Sequence, residues 1–228
     1  MPPEYVFLSY PLSMKTPTPP AIPKMELSPF LSLAKGDEAN VTLVKVVTHT
    51  GTHVDVPRHV VPDGITLSDF TPGELVFDHP VLFDLPLPDD TLVMPSHLES
   101  LVGRGRDADL VLFRFGYGTV RSSDPLRYSS HCPGFGVESA QVLVERFPRM
   151  RALGMDVPSL SCIKFLERTM RAHNVLLEGK GRRFLVIEDM KLDQDLGGLE
   201  TVIIAPLWIS GADGGPATIL GRFKGGKQ

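Results

Sequence analysis

Three imidazoles and a carboxylate fall within one short stretch, His49-Thr50-Gly51-Thr52-His53-Val54-Asp55-Val56-Pro57-Arg58-His59. With 7 histidines spread over 228 residues, that density is a large excess over chance. Imidazole and carboxylate are the ligands that hold Zn²⁺, Mn²⁺ and Fe²⁺, so the stretch reads first as a metal site. His49 and His53 are four apart, which would suit one helix face. Gly51, two β-branched threonines and Pro57 oppose a helix. The run 41–47 before them is β-branched and strand-like. His49 is therefore expected at a strand end and Gly51 in a tight bend. His53 and Asp55, two apart in extended chain, would share a face. Pro57 holds Val56 extended and stiffens the approach to His59. The expected product is a two-histidine, one-carboxylate cluster with a third imidazole close behind. His79, His97 and His131 have no such setting and read as ordinary polar histidines. Cys132 beside His131 suggests a Cys/His nucleophile, but nothing in the sequence brings it a base or an oxyanion hole.

The elements that must position these groups are short. Strand-like runs recur at 41–47, 81–85, 109–115, 152–155, 184–187 and 201–205. Two segments carry helical spacing. One covers 137–147 and ends at Pro148, with Val137, Ala140, Val144 and Phe147 in register. The other covers 161–174, with Ile163, Leu166 and Met170 on one stripe and Ser159 or Ser161 as its cap. Strands outnumber helices and the helices come late, which favours a mixed α/β (α+β) domain. Residues 1–228 show no repeat and no linker and read as one domain. Its first 30 residues form a proline-rich arm; the prolines of 11–30 rule out a helix or central strand there.

Composition sets the outer bounds. Hydrophobic content of 42% and charged content of 22% are ordinary globular values. A net charge of −4 and a pI near 6.0 give no footprint for nucleic acid or an anionic membrane. The basic clusters at 180–183 and in the tail read as solvated surface. The start, Met1 to Tyr5, lacks a basic region followed by an apolar one. The longest apolar runs are far too short for a membrane span. Two cysteines make no disulfide framework. A cytoplasmic enzyme is the expectation.

The stretch His49-x-Gly-Thr-His53-x-Asp55-x-Pro57-x-His59 resembles the signature of the metal-dependent cyclase-family hydrolases, which include bacterial kynurenine formamidase and isatin hydrolase. The likeness extends along the chain. Leu8-Ser9-Tyr10-Pro11-Leu12 resembles the family's opening LSxPL, and 111–117 its VLLRTGW. Pro133-Gly134-Phe135 and 153–160 resemble FPG and GIDTPSID. His173-Asn174, Ile187-Glu188-Asp189 and Pro206 to Pro216 resemble its closing elements. The resemblance implies a swivelling β/β/α fold, assembly as a homodimer or homotetramer, and one or two divalent ions, Zn²⁺ or Mn²⁺, per chain. It implies that His49, His53 and Asp55 hold a first ion. Asp55, His173 and Glu188 would hold a second, with Glu188 touching both ions, and His59 would move protons. Taken alone, His173 is a polar residue near a helix end, where the dipole favours imidazolium. Glu188 taken alone is a carboxylate at the end of an apolar strand.

The implied reaction is attack of cation-activated water on a formamide, a cyclic amide or imide, or an ester, all small carbonyl substrates. Formamidases carry a tryptophan in the arm, within VWPG. Here the corresponding stretch is Pro17-Thr18-Pro19-Pro20, without a ring to contact an aromatic substrate. Substrate shape is left to the arm and to residues such as Tyr10, Phe30 and Trp208. Two other readings fit part of the pattern. A non-haem Fe(II) oxygenase also uses two histidines and a carboxylate, but gives no work to His59, His173 or Glu188. A non-catalytic metal-binding protein would leave a reactive histidine idle.

Overall fold

The computed structural model describes residues 4–101, 103–178 and 183–224. The start at 1–3, most of the basic cluster at 180–183 and the tail beyond 224 lie outside the described residues. Among the described residues, nine strands form one sheet. Four are parallel: Pro80–Asp84, Leu110–Arg114, Ala152–Met155 and Leu185–Glu188. The sheet then continues antiparallel through His53–Asp55, Gly214–Phe223, Leu199–Pro206 and Val76–Phe77, with Glu4–Phe7 also on Gly214–Phe223. The two outermost strands, Val76–Phe77 and Pro80–Asp84, are separated in the chain only by Asp78 and His79. The sheet therefore curls until its ends nearly meet.

The parallel half is hydrophobic on both faces, as strands covered on both sides must be. Leu110, Leu112, Ala152, Leu185 and Ile187 point into the curl, with Val54, Phe77, Val202, Ile204 and Ile219. Val111, Phe113, Leu153, Met155 and Val186 point outward, under two helices. Those helices, Val137–Arg146 and Leu166–Leu177, are crossover connections that return the chain to the next parallel strand. Ala140 and Leu143 of the first and Ala172 and Leu176 of the second bury against that outer face.

Several expectations need correction. The strand expected at 41–47 ends at Lys45, and among the described residues it pairs only with Glu26–Leu31. This ribbon uses the proline-rich arm, and Pro29 is tolerated because the ribbon is not inside the main sheet. His49 consequently lies in the turn after the strand, not at its end. The helix expected at 161–174 begins as a short 3-10 turn, Ile163–Phe165, and the α-helix runs Leu166–Leu177. Neither Ser159 nor Ser161 caps it. The stripe Ile163, Leu166 and Met170 is not core: the residues are 39%, 49% and 36% exposed. The buried stripe is Thr169, Ala172, His173, Leu176 and Leu177. Several strands were not read from the sequence, among them Glu4–Phe7, Glu26–Leu31 and the ten-residue Gly214–Phe223.

Candidate metal centre

Register explains why residues far apart in sequence meet. His53–Asp55 lies between Leu185–Glu188 and Gly214–Phe223, with His53 directly opposite Glu188 and Asp55 opposite Val186. Directly opposite residues share a face, and Val186 faces the helices. His53, Asp55 and Glu188 therefore rise on the helix side, while Val54 between them is buried in the curl. Glu188 ends a parallel strand, and sites in such sheets form at the carboxyl ends of strands. Helix Leu166–Leu177 crosses above and turns His173 down to meet them.

The approach is fixed by two glycines. Gly51 has φ +65°, and a Cβ there would stand 2.5 Å from Leu12 Cδ2, so only glycine fits this bend. Its carbonyl accepts a hydrogen bond from His53 Nδ1–H at 2.7 Å. A carbonyl can only accept, so the proton sits on Nδ1 and Nε2 is left facing the cluster. On the neighbouring strand, a Cβ on Gly214 would reach Val54 O at 2.4 Å and His49 Cε1 at 3.1 Å. Its absence lets the strand press against His49.

The resulting geometry is tight. His49 Nδ1 lies 2.7 Å from Asp55 Oδ1. His53 Nε2 lies 3.4 Å from the same oxygen and 3.2 Å from Glu188 Oε2. His173 Nε2 lies 3.7 Å from Asp55 Oδ2 and 3.4 Å from Glu188 Oε1. Asp55 thus turns one oxygen toward His49 and His53 and the other toward His173. His59 stands at the rim, its ring centroid 4.1 Å from that of His49 and 5.7 Å from that of His173. The structure therefore brings together all six groups singled out in the sequence. Combinations of His49, His53, Asp55, His59 and His173 place ligand atoms within 4.8 Å of one another.

One atom tests whether a cation suits this place. His53 Nε2 is buried without a hydrogen-bond partner, yet it faces two carboxylates. A lone pair opposed to two negative groups is repulsive unless a proton or a metal ion sits between them. Protonation chemistry gives the same picture. Burial works against charge on His49 and His53, but hydrogen bonds to Asp55, joined at His53 by Glu188, outweigh it. Both imidazoles are held above their ordinary range, His53 well above. Burial would raise Asp55, but His49 and His53 hold its carboxyl well below the usual range. Glu188 is pushed up by burial and by Asp55, and still falls below its usual value beside His173 and His53. The cluster is a buried anionic cage that demands positive charge. Its nitrogen and oxygen donors fit a divalent metal ion.

Groups the sequence reading passed over support the cage. Asp213 was present only within a longer likeness, in a glycine-flanked segment that carries no periodicity. Its Oδ2 lies 2.7 Å from His49 Nε2 and 3.5 Å from His59 Nδ1, and its Oδ1 accepts from Thr48 Oγ1. A carboxylate on the far nitrogen of a metal-facing imidazole orients the ring and strengthens it as a donor. The two serines expected as caps face inward. Ser159 Oγ is 3.4 Å from Glu188 Oε1, which also accepts the Leu160 N–H at 2.6 Å, and Ser161 Oγ is 3.4 Å from His173 Nδ1. Cys132 is buried, and burial pushes its thiol up, away from the nucleophilic thiolate. His131 pairs with Asp90 instead.

Above the cage opens a cavity of about 390 Å³, lined by Pro19, Pro20 and Ile22 of the arm and by Ile163, Leu166 and Met170. Tyr10, Phe30 and Trp208 are not part of its wall. Tyr10 stacks under the Arg121 guanidinium, and Phe30 and Trp208 are exposed elsewhere.

The Cyclase family profile, described as "Putative cyclase", matches residues 6–161. Cyclase-like protein 1 of Arabidopsis thaliana is 32% identical over 193 residues, covering 83% of this chain and 72% of that protein. The chain spans about two thirds of the length of other plant cyclase-like relatives. A kynurenine formamidase of Bacillus cytotoxicus is 25% identical over 219 residues, 96% of this chain and 97% of its own. The fold is that of isatin hydrolase A from Labrenzia aggregata, with TM-score 0.77 at 22% identity over 97% of this chain and 94% of that one. The mixed α/β fold with its nearly closed sheet is thus a known one, and the chain belongs to the Cyclase family.

Proposed function

We propose that this protein is a metal-dependent hydrolase of carbonyl C–N bonds in small molecules, with formamides and cyclic amides or imides as first candidates and esters as a further one. The observation that carries the reading is the bare, buried Nε2 of His53 set against Asp55 and Glu188. The kynurenine formamidase relative, aligned over nearly its whole length, supports the same chemistry. Bound in such a cage, a divalent cation would acidify water enough to supply hydroxide near neutral pH and would polarise a carbonyl oxygen. His49, His53 and Asp55 would hold one cation, and the two-sided placement of Asp55 supports a second beside His173 and Glu188. Zn²⁺ and Mn²⁺ both suit the donors, at one or two per chain.

His59 has a separate task. It stands at the rim of the cavity, and its Nδ1 is only loosely engaged by Asp213 at 3.5 Å. It would carry a proton to the departing nitrogen, while Asp213 orients the ring. An oxygenase reading leaves His59, His173 and Glu188 without work, although all three lie at the same place. The two cysteines are free and buried, which suits a reducing, cytoplasmic setting. No helix among the described residues is long and apolar enough to cross a membrane.

The reading includes assembly with further copies of the same chain. All eleven residues of the Glu26–Leu31 and Val41–Lys45 ribbon are exposed, and an isolated two-stranded ribbon is marginal in water.

The test is a panel of formamides, lactams, cyclic imides and esters, assayed on chelator-stripped protein with Zn²⁺, Mn²⁺ or Fe²⁺ restored separately. Hydrolysis that appears only with metal is expected. Turnover that consumes oxygen, or no turnover on any carbonyl with any ion, would overturn the reading.

A further inference from the structure

The geometry points to a substrate that is uncharged and apolar where it meets the wall of the cavity, with no zwitterionic amino-acid group. This deepens the hydrolase reading and rests on it. The apolar stripe Ile163, Leu166 and Met170 is turned outward and forms one side of the cavity. Pro19, Pro20 and Ile22 of the arm form the facing side. Large aliphatic groups left half-exposed on a helix are unfavourable in water unless something apolar covers them. Here what they border is the space directly above the cage.

Charge decides the class. Among the described residues lining the cavity, the ionisable groups are those of the cage and His59 alone. Lys15 and Lys24, the arm's own cations, do not line this cavity; they line an adjoining depression of about 610 Å³ on Pro19, Pro20 and Ile22, against Ser123 to Leu126. Arg121 is committed to Asp189 at 2.6 and 2.8 Å. A substrate carboxylate or ammonium lying on the wall would lose water without gaining a partner, which is costly. A neutral ring or alkyl group of the same size would gain from the same burial. The volume suits one small molecule of that kind. The wall residues are thus specificity-determining, separate from the groups that hold the cation.

Two formamides that differ in charge read this directly. N-formylkynurenine carries an ammonium and a carboxylate; ortho-acetylformanilide keeps the formanilide ring and ketone and lacks both. With Zn²⁺ or Mn²⁺ restored, kcat/KM is expected to favour the uncharged compound by about 100-fold, mainly through KM. Leu166→Arg, at a half-exposed position, should narrow that ratio by about 10-fold by offering the carboxylate a partner. Calorimetric binding of the two amine products adds a readout that needs no turnover, and the uncharged amine should bind more tightly. Equal or better use of N-formylkynurenine by the unaltered protein would overturn the inference, as would equal binding of the two amines. If neither formamide is hydrolysed but the uncharged amine still binds preferentially, the hydrolase reading fails and the cavity inference stands.

Discussion

The bare nitrogen of His53 exists because Gly51 turns its carbonyl back along the chain and accepts a hydrogen bond from Nδ1–H on the other side of the ring. Removing that imidazole removes a donor from the centre of the cage. His53→Ala should therefore abolish metal retention, read as metal per chain after gel filtration. His59→Asn should keep the metal and lower turnover by about 10²- to 10⁴-fold, the usual worth of general acid–base help. Near-normal turnover in His59→Asn would remove its assigned role. Protons and cations compete for the same nitrogens. His49 and His53 are raised, so in cation-free protein their ion pairs stabilise the fold at low pH and fade as pH rises through those raised values. Asp55 and Glu188 are lowered, so their contribution persists down to acid. A bound cation replaces what the imidazolium groups lose. The rise in Tm on adding Zn²⁺ should accordingly be larger at about pH 8 than at about pH 6; a larger rise at the lower pH would contradict the arrangement. At this scale the sequence was most legible where ligands are local. His49, His53 and Asp55 announce themselves within seven residues, whereas His173 and Glu188 meet them only through tertiary packing and were reachable only by resemblance. Asp213 was overlooked because a carboxylate among glycines gives no spacing signal.

Strands and helices deliver these groups through a few tied joints. Asp189, next to Glu188, adopts φ +52°, a conformation that a non-glycine residue holds only when its surroundings compel it. Here Arg121 grips its carboxylate with two hydrogen bonds, Tyr128 adds a third, and Thr52 Oγ donates to its carbonyl at 2.6 Å. This joint ties the Glu188 strand end to the histidine loop. Asp189→Ala would leave the Arg121 guanidinium without its carboxylate in a mostly buried place, and should cost about 3–5 kcal/mol by urea unfolding. A loss under about 1 kcal/mol would show that the joint does not hold the site. A second tie is Asp156, whose carboxylate accepts the N–H groups of Phe115, Gly116 and Tyr117; burial pushes it up to about 6 against those three donors. Elements were legible where period and composition agree, as in Ala152–Met155 and Val137–Arg146. Gly214–Phe223 was hidden by three glycines, a proline and an arginine that interrupt its alternation. The stripe of Ile163, Leu166 and Met170 misled for a physical reason. A helix that roofs a cavity is apolar on two faces, and spacing alone does not tell which face is inside.

Across the whole molecule, the curled sheet does one job for function: it brings the carboxyl end of a parallel strand beside an antiparallel strand carrying two ligands, beneath a single helix. The ribbon of Glu26–Leu31 and Val41–Lys45 stands apart from that body, with Phe30 71% exposed and Leu43 57%. Light scattering should give a mass of two or four chains, and Phe30→Asp with Leu43→Asp should reduce it toward one; a monomeric unaltered protein would contradict assembly through the ribbon. Metal uptake reaches the centre of the matter most directly. Calorimetric titration of chelator-stripped protein with Zn²⁺ and Mn²⁺ should give one or two ions per chain. Asp55→Ala should lose that uptake entirely, since Asp55 turns one oxygen toward His49 and His53 and the other toward His173. Uptake in Asp55→Ala equal to that of the unaltered protein, or none in either, would contradict a cation held at this site.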